Sequence, residues 1–164
     1  MKIVVAPSGF KENLSPEQVA DCIEEGLLRV LPEAKIVKIP LVDGGEGFAK
    51  TLVRLTGGKL RQSIVTGPIG EPVRAHWGLL GGSGPKTAIL EMAAAAGLRL
   101  VPDGLRNPLL TTTYGVGELI KIALADGVER LLIGCADSGT TDGGAGMAQA
   151  LGIRVHTIGV GTEG

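Results

Sequence analysis

The sequence predicts an α/β protein that opens as a parallel sheet and carries an inserted mixed α+β subdomain. Three observations predict it. Up to about residue 58, short apolar runs alternate with amphipathic helical patterns in a β–α–β–α order. Residues 60–90 then switch to alternating strands joined by Gly/Pro-rich turns, which is antiparallel patterning. The composition suits both parts. Only Phe10, Phe48, Trp77 and Tyr114 are aromatic, so the core falls to Val, Ile, Leu and Ala, while 27 glycines supply sharp turns and close approaches.

Each element has a local reason. Lys2–Ala6 is a β-branched apolar run stopped by Pro7 and Gly9, and reads as a buried strand. Ser15-Pro16-Glu17-Gln18 starts a helix, with Ser15 as N-cap, Pro16 at the first helical position and Gln18 closing a capping box. Val19, Cys22, Ile23, Leu27, Val30 and Leu31 follow at helical spacing until Pro32. Ile36–Val42 reads as a second strand. A helix from about Glu46 to Leu55 carries Phe48, Leu52 and Leu55 on one face and leaves at Gly57. Leu60–Val65 and Val73–Leu80 flank the turn at 67–72, and a second turn at 81–85 leads to Thr87–Leu90. Ala93–Ala96 reads as a short packed helix. From Tyr114 the α/β pattern returns: Val116, Leu119, Ile120, Ala123 and Leu124 mark a helix, and Leu131–Cys135 a buried strand. A glycine-rich loop, a helix of small residues through Leu151 and a strand at Ile153–Val160 follow. The last domain is expected to be incomplete at its C-terminal end.

The composition also excludes classes of function. A net charge of −1 without a basic stripe, and single scattered aromatics, argue against nucleic acid. No apolar run reaches the ~20 residues of a membrane span. The opening MKIVVA is strand-like rather than a signal peptide, which makes cytoplasm the expectation. Cys22 and Cys135 are too far apart for a disulfide framework or a metal knuckle. His76 and His156 lie in strand-like stretches and read as structural. Glu91, between Leu90 and Met92, is either paired in the core or lines a pocket.

Three loops follow strands, where open α/β sheets bind ligands. In the first, Lys11 can reach a phosphate as a point charge, although spacing alone favours a solvated loop lysine. In the second, Asp43 precedes Gly44, Gly45, Glu46 and Gly47 at a helix start. Asp43 could hold Mg²⁺ or take a hydroxyl proton, or simply cap the helix, and the two readings weigh equally. The third, from Gly134 to Gly146, combines hydroxyls, glycines and carboxylates that can wrap a phosphate; it lacks the Gly-Lys-Ser/Thr ending of a P-loop. The hydroxyls of Thr111, Thr112 and Thr113 open a further helix, where capping is the safer reading.

These segments carry a resemblance. MKIVVAP followed by Phe10-Lys11 and Leu14-Ser15, DGGEG at 43–47, TGPIGEPV at 66–73 and EMAAAAGL at 91–98 come first. NPLLTTTYGVGELI at 107–120 and SGTTDGGAGMAQALG at 138–152 complete the set. In this order they resemble the bacterial glycerate kinase family that lacks a P-loop, specifically its N-terminal part. The resemblance implies phosphorylation of D-glycerate to a phosphoglycerate with ATP and Mg²⁺, and a discontinuous Rossmann-like domain with a mixed domain inserted. Residues 1–58 would be the first part of the former and 59–164 the inserted domain.

The resemblance also implies site residues. Lys11, Asp43, Glu46, Thr113, Ser138 and Asp142 would fall in the cleft between the domains. Lys11 would act on phosphate, and Asp43 or Asp142 on the metal or the glycerate hydroxyl. Gly44, Gly45, Glu46, Thr112, Thr113, Ser138, Thr140, Gly143 and Gly144 would bind nucleotide or substrate. Two departures weaken the match. Ser8-Gly9 stands where the family has Asp-Ser, and Asp137 stands where it has glycine, putting a negative charge into the expected phosphate cradle. Members of the family continue into a C-terminal half with a further acidic motif, which is expected to be missing here, so the expected partners are that half or a second copy in a homodimer. The alternative is a non-catalytic remnant that binds a small acid, a nucleotide or a full-length partner.

Overall fold

The computed structural model describes residues 1–10 and 13–156. The elements run β1 (Lys2–Val5), α1 (Pro16–Val30), β2 (Lys35–Lys38), α2 (Phe48–Thr56), β3 (Lys59–Thr66), β4 (Pro72–Leu79), β5 (Thr87–Glu91), α3 (Ala93–Ala96), α4 (Tyr114–Ala125), β6 (Arg130–Gly134) and α5 (Ala145–Leu151), with 3₁₀ turns at Leu98–Leu100 and Asp103–Leu105. They form two sheets. β1 and β2 pair in parallel, Lys2 opposite Lys35. The second sheet has the order β3-β4-β5-β6: β3, β4 and β5 are antiparallel neighbours, and β6 joins β5 in parallel.

α1 begins as its sequence dictates. The Gln18 N–H donates to Ser15 Oγ at 3.3 Å and the Ser15 N–H to Gln18 Oε1 at 2.8 Å, with Pro16 where no N–H is needed. Ser15→Ala is expected to lower stability by ~1 kcal/mol, read as a shifted urea midpoint at constant slope. Lys38 of β2 holds α1 from below. Its ammonium donates to Asp21 at 2.7 Å and Glu24 at 2.5 Å, and these acceptors push its pKa up to about 12.

Several elements differ from expectation. β2 ends at Lys38 because Pro40 has no N–H for the ladder, although Ile39 and Leu41 still donate to Val5 and Pro7 carbonyls at 2.8 and 2.9 Å. α2 starts at Phe48, not Glu46, since Gly47 sits at φ +87. Residues Ile153–His156 are not in a strand, and the remainder of the expected strand, 157–160, lies outside the described residues. The α1 stripe and β1 are less covered than their apolar pattern predicts: only Val19 and Ala20 of α1 are buried, Val30 is 78% exposed and Val4 of β1 is 56% exposed. A two-stranded sheet with one helix has too few partners to enclose either face.

The four-stranded sheet is covered on both faces, and strand alternation decides which side chain goes where. Ala75, Trp77, Ala88 and Leu90 face Ala94, Val116, Leu119, Ile120 and Ala123 in the main core. The opposite face carries Ile89, packed against Ala49 and Val53 of α2. By packing, α2 therefore goes with the four-stranded sheet although it precedes residue 59. No helix among the described residues is long and apolar enough to cross a membrane.

Candidate active site

The same alternation builds the floor of a cavity. His76 and Gly78 of β4, and Ile89 and Glu91 of β5, project to the α2 face. Trp77 is opposite Leu90, so continuing the register brings His76 beside Glu91. Both are buried, at 7% and 1% exposure. His76 Nε2 stands 2.7 Å from Glu91 Oε1; among the described residues Nε2 has no hydrogen bond of regular geometry. Glu91 also accepts the N–H groups of Gly47 at 3.3 Å and Ala49 at 2.8 Å, tying the end of β5 to the start of α2. Burial pushes the Glu91 carboxyl up, but the His76 contact and the two N–H donors outweigh it and hold it below the usual carboxylate value. Of the two readings for Glu91, core pairing and pocket lining, both hold.

Above this floor lies a cavity of about 670 Å³. Its walls come from residues 8–10 and 13–17 after β1, 41–43, 46–47 and 50–51 around the start of α2, Leu98 and Arg99, and Asp137 and Ser138 after β6. Asp43 and Glu46 line it. Asp43 Oδ1 accepts the Gly45 N–H at 3.1 Å. The Glu46 N–H donates to Asp137 Oδ2 at 3.0 Å, and the Glu46 carboxylate meets Arg99 Nε at 2.7 Å. The N–H groups of this loop expected to hold an anion are thus occupied by the protein's own carboxylates. A Cβ on Gly45 would lie 2.1 Å from Asp137 Oδ2 and 3.1 Å from Asp43 Oδ1, so the two carboxylates converge over a residue that can carry no side chain. Gly44 and Gly134 cross at similar range. A Cβ on Gly134 would meet Gly44 O at 2.3 Å, and the Ala136 N–H donates to that same carbonyl at 3.3 Å.

The remaining predicted residues form a second cluster, none of them among those lining the cavity except Ser138. Ser138 Oγ donates to Thr140 O at 3.1 Å. Asp142 is its hub. Oδ2 accepts the Thr113 N–H and hydroxyl at 2.8 Å each and the Gly146 N–H at 3.0 Å, while Oδ1 accepts the Gly144 N–H at 3.0 Å. Thr113 Oγ1 in turn accepts the Met147 N–H, Thr112 Oγ1 accepts the Tyr114 N–H, and Thr140 Oγ1 donates to Thr111 O. Gly143 and Gly144, both left-handed, complete the turn into α5. Burial raises the Asp142 carboxyl, and the Thr113, Gly144 and Gly146 donors overcome this and hold it low. Asp142 is thereby a clamp between the starts of α4 and α5.

Lys11 lies outside the described residues. Sequence reasoning missed the His76–Glu91 pair, which only the β4–β5 register brings together, and Arg99, which no motif marks. It also read Asp137 as an intruder. Asp137 sits at φ +57, which a non-glycine residue seldom adopts, and its carboxylate bridges to the neighbouring loop. Among the described residues no group of three or more His, Cys, Asp or Glu side chains is placed to hold a metal.

Comparison with known proteins points one way. A family model described as the glycerate kinase family matches residues 3–159. A glycerate kinase of Bacillus subtilis (strain 168) is 55% identical over 155 residues, covering 94% of this chain and 40% of that protein. A glycerate 2-kinase of Escherichia coli (strain K12) is 50% identical over 155 residues, with the same coverage. A crystal structure provisionally named glycerate kinase 2, from Salmonella typhimurium LT2, superposes with a TM-score of 0.67 at 51% identity, covering 93% of this chain and 41% of that one. The chain spans about 40% of the length of the curated relatives it matches.

Proposed function

The chain belongs to the glycerate kinase family, and from that premise we propose that it supplies the substrate-facing N-terminal part of an enzyme that phosphorylates D-glycerate with ATP. The observation that carries the reading is the cavity of about 670 Å³, into which the loops after β1 and β2 and the loop after β6 all open. A cavity of that size admits a small hydroxy acid and the polyphosphate end of a nucleotide. Phosphoryl transfer asks mainly for positioning and charge neutralisation, and loops fixed to sheet ends by Glu91 and Asp137 provide the first.

For a divalent cation, Asp43 and Asp137 fit better than Asp43 and Asp142. The first two converge over Gly45 at the cavity and each accepts a backbone N–H, whereas Asp142 lies away from the cavity and accepts four donors. Asp43 and Asp137 offer the hard oxygen donors that Mg²⁺ takes, alongside substrate phosphate oxygens. Such an ion, when bound, offsets the charge of the phosphates. Arg99 and Lys50, which also line the cavity, supply positive charge toward a carboxylate or phosphate. Asp43→Asn is expected to lower turnover by ~10²-fold or more while leaving the fold intact, checked by kinetics beside a thermal melt.

The length of the relatives and the exposed apolar side chains of Met1, Val4, Val30, Ile39 and Leu41 support a further segment or partner packing on the β1–β2 unit. The test is an assay of the purified chain with ATP, Mg²⁺ and D-glycerate, repeated with the C-terminal segment of a relative supplied. Phosphoglycerate in either arm supports the reading. Zero turnover in both, with ATP still raising the melting temperature, would favour the non-catalytic remnant.

A further inference from the structure

We infer that His76, oriented by Glu91 from behind, faces the cavity with Nδ1 and accepts the proton of the hydroxyl group that is phosphorylated. The inference rests on the kinase reading above and adds a residue that no motif of the sequence marks.

The geometry comes from the sheet. His76 is held on the α2 face of β4 by strand alternation and lines the cavity while remaining almost wholly buried. Its Nε2 lies 2.7 Å from Glu91 Oε1. An ionised Glu91 beside Nε2 favours the tautomer with the proton on that nitrogen, leaving a lone pair on Nδ1. Among the described residues Nδ1 makes no hydrogen bond, and His76 lines the cavity. Of the two ring nitrogens, Nδ1 is the one left for a ligand in the cavity that His76 borders. A base with one nitrogen fixed by a carboxylate and the other presented to a cleft is the arrangement that proton abstraction from a hydroxyl requires.

Asp43 is less suited to the task. Its Oδ1 accepts the Gly45 N–H and it converges with Asp137, which suits a cation. The other charged groups facing the cavity are Glu17 of α1, Glu46 and Lys50 at the start of α2, Arg99, and Asp137. Glu46 is paired with Arg99 at 2.7 Å and Glu17 with Arg54 at 3.6 Å. In the step, the glycerate hydroxyl oxygen forms a bond to the γ-phosphorus of ATP as the bond from that phosphorus to the bridging oxygen breaks. The hydroxyl proton passes to Nδ1, ADP leaves with the electron pair, and the imidazolium later returns its proton to solvent.

The test needs the full chain labelled with ¹⁵N-histidine. Addition of D-glycerate is expected to shift the Nδ1 resonance of His76, with Nε2 carrying the proton beforehand, and to leave the exposed His156 unmoved. In the kinase assay His76→Ala is expected to lower kcat by ~10²–10⁴-fold, with added imidazole restoring part of the loss. A His76 resonance indifferent to saturating glycerate, or a His76→Ala chain turning over at the parent rate, would overturn the inference. If the parent chain shows no turnover in any arm while glycerate still shifts Nδ1, the kinase reading fails and the hydroxyl contact stands. If turnover is normal and His76 is silent, the inference alone fails. The spectrum of the unmodified chain keeps the test decisive even where a variant does not fold.

Discussion

Glu91→Ala is expected to destabilise the protein by ~3–5 kcal/mol, read from equilibrium unfolding in urea. The substitution strands three groups together: the half-buried N–H of Gly47, the buried N–H of Ala49 and the buried imidazole of His76. The carboxylate is 1% exposed, and these groups have no other acceptor among the described residues. Glu91→Gln keeps the volume, yet an amide presents an acceptor on one side only, so it satisfies either the α2 donors or His76 and lands between. The carboxyl is held below its ordinary value of 4.5 in the folded state. Its stabilisation is therefore complete above that unfolded-state value and is lost as pH falls through the lower folded value. The urea midpoint of the parent should drop with acid over that range, and that of the alanine variant should drop less. An alanine variant within ~1 kcal/mol of the parent would mean that the pairing does not hold the loop.

Asp142→Ala is expected to cost ~2–4 kcal/mol, and Asp142→Asn to recover little of it. Both carboxylate oxygens act as acceptors, one for three donors and the other for the Gly144 N–H. An amide must point its NH₂ at N–H groups on one side or the other. The sensitive measurement is hydrogen exchange, in which the amides of Thr113, Gly144 and Gly146 should lose protection while those of β4 and β5 keep theirs. Unchanged protection at those three amides would count against the clamp. The sign with pH is the same as for Glu91: the Asp142 carboxyl is held low, so its contribution is full above the ordinary value of 3.8 and disappears as pH falls through the folded value.

What could be read in the sequence follows physical range. The capping box at Ser15, the strands at 59–66 and 72–79 and the helix at 114–125 are written in neighbouring residues, and local chemistry builds them. The loops of the candidate site were legible as loops for the same reason. Their partners were not. Asp142 and Thr113, Glu91 and Ala49, and Asp137 and Glu46 meet across tens of residues, and only strand register and helix packing choose those pairs. A carboxylate near glycines looks the same in sequence whether it faces a cavity, as Asp43 does, or knots two helix starts, as Asp142 does. Burial misled in the other direction. The apolar pattern of α1 promised a covered stripe, but covering it needs neighbours beyond the β1–β2 unit.

Where Gly44 passes over Gly134, the hydrogen of Gly134 fits the gap and a methyl group in its place would not. The backbone after β2 and the backbone after β6 are stacked like two leaves with no slack between them. Lifting either one must drag the other, and this mechanical link works by hard contact rather than by charge. It should persist unchanged through salt and acid that erode the carboxylate ties around it, so that a molecule seated against one leaf stills both at once.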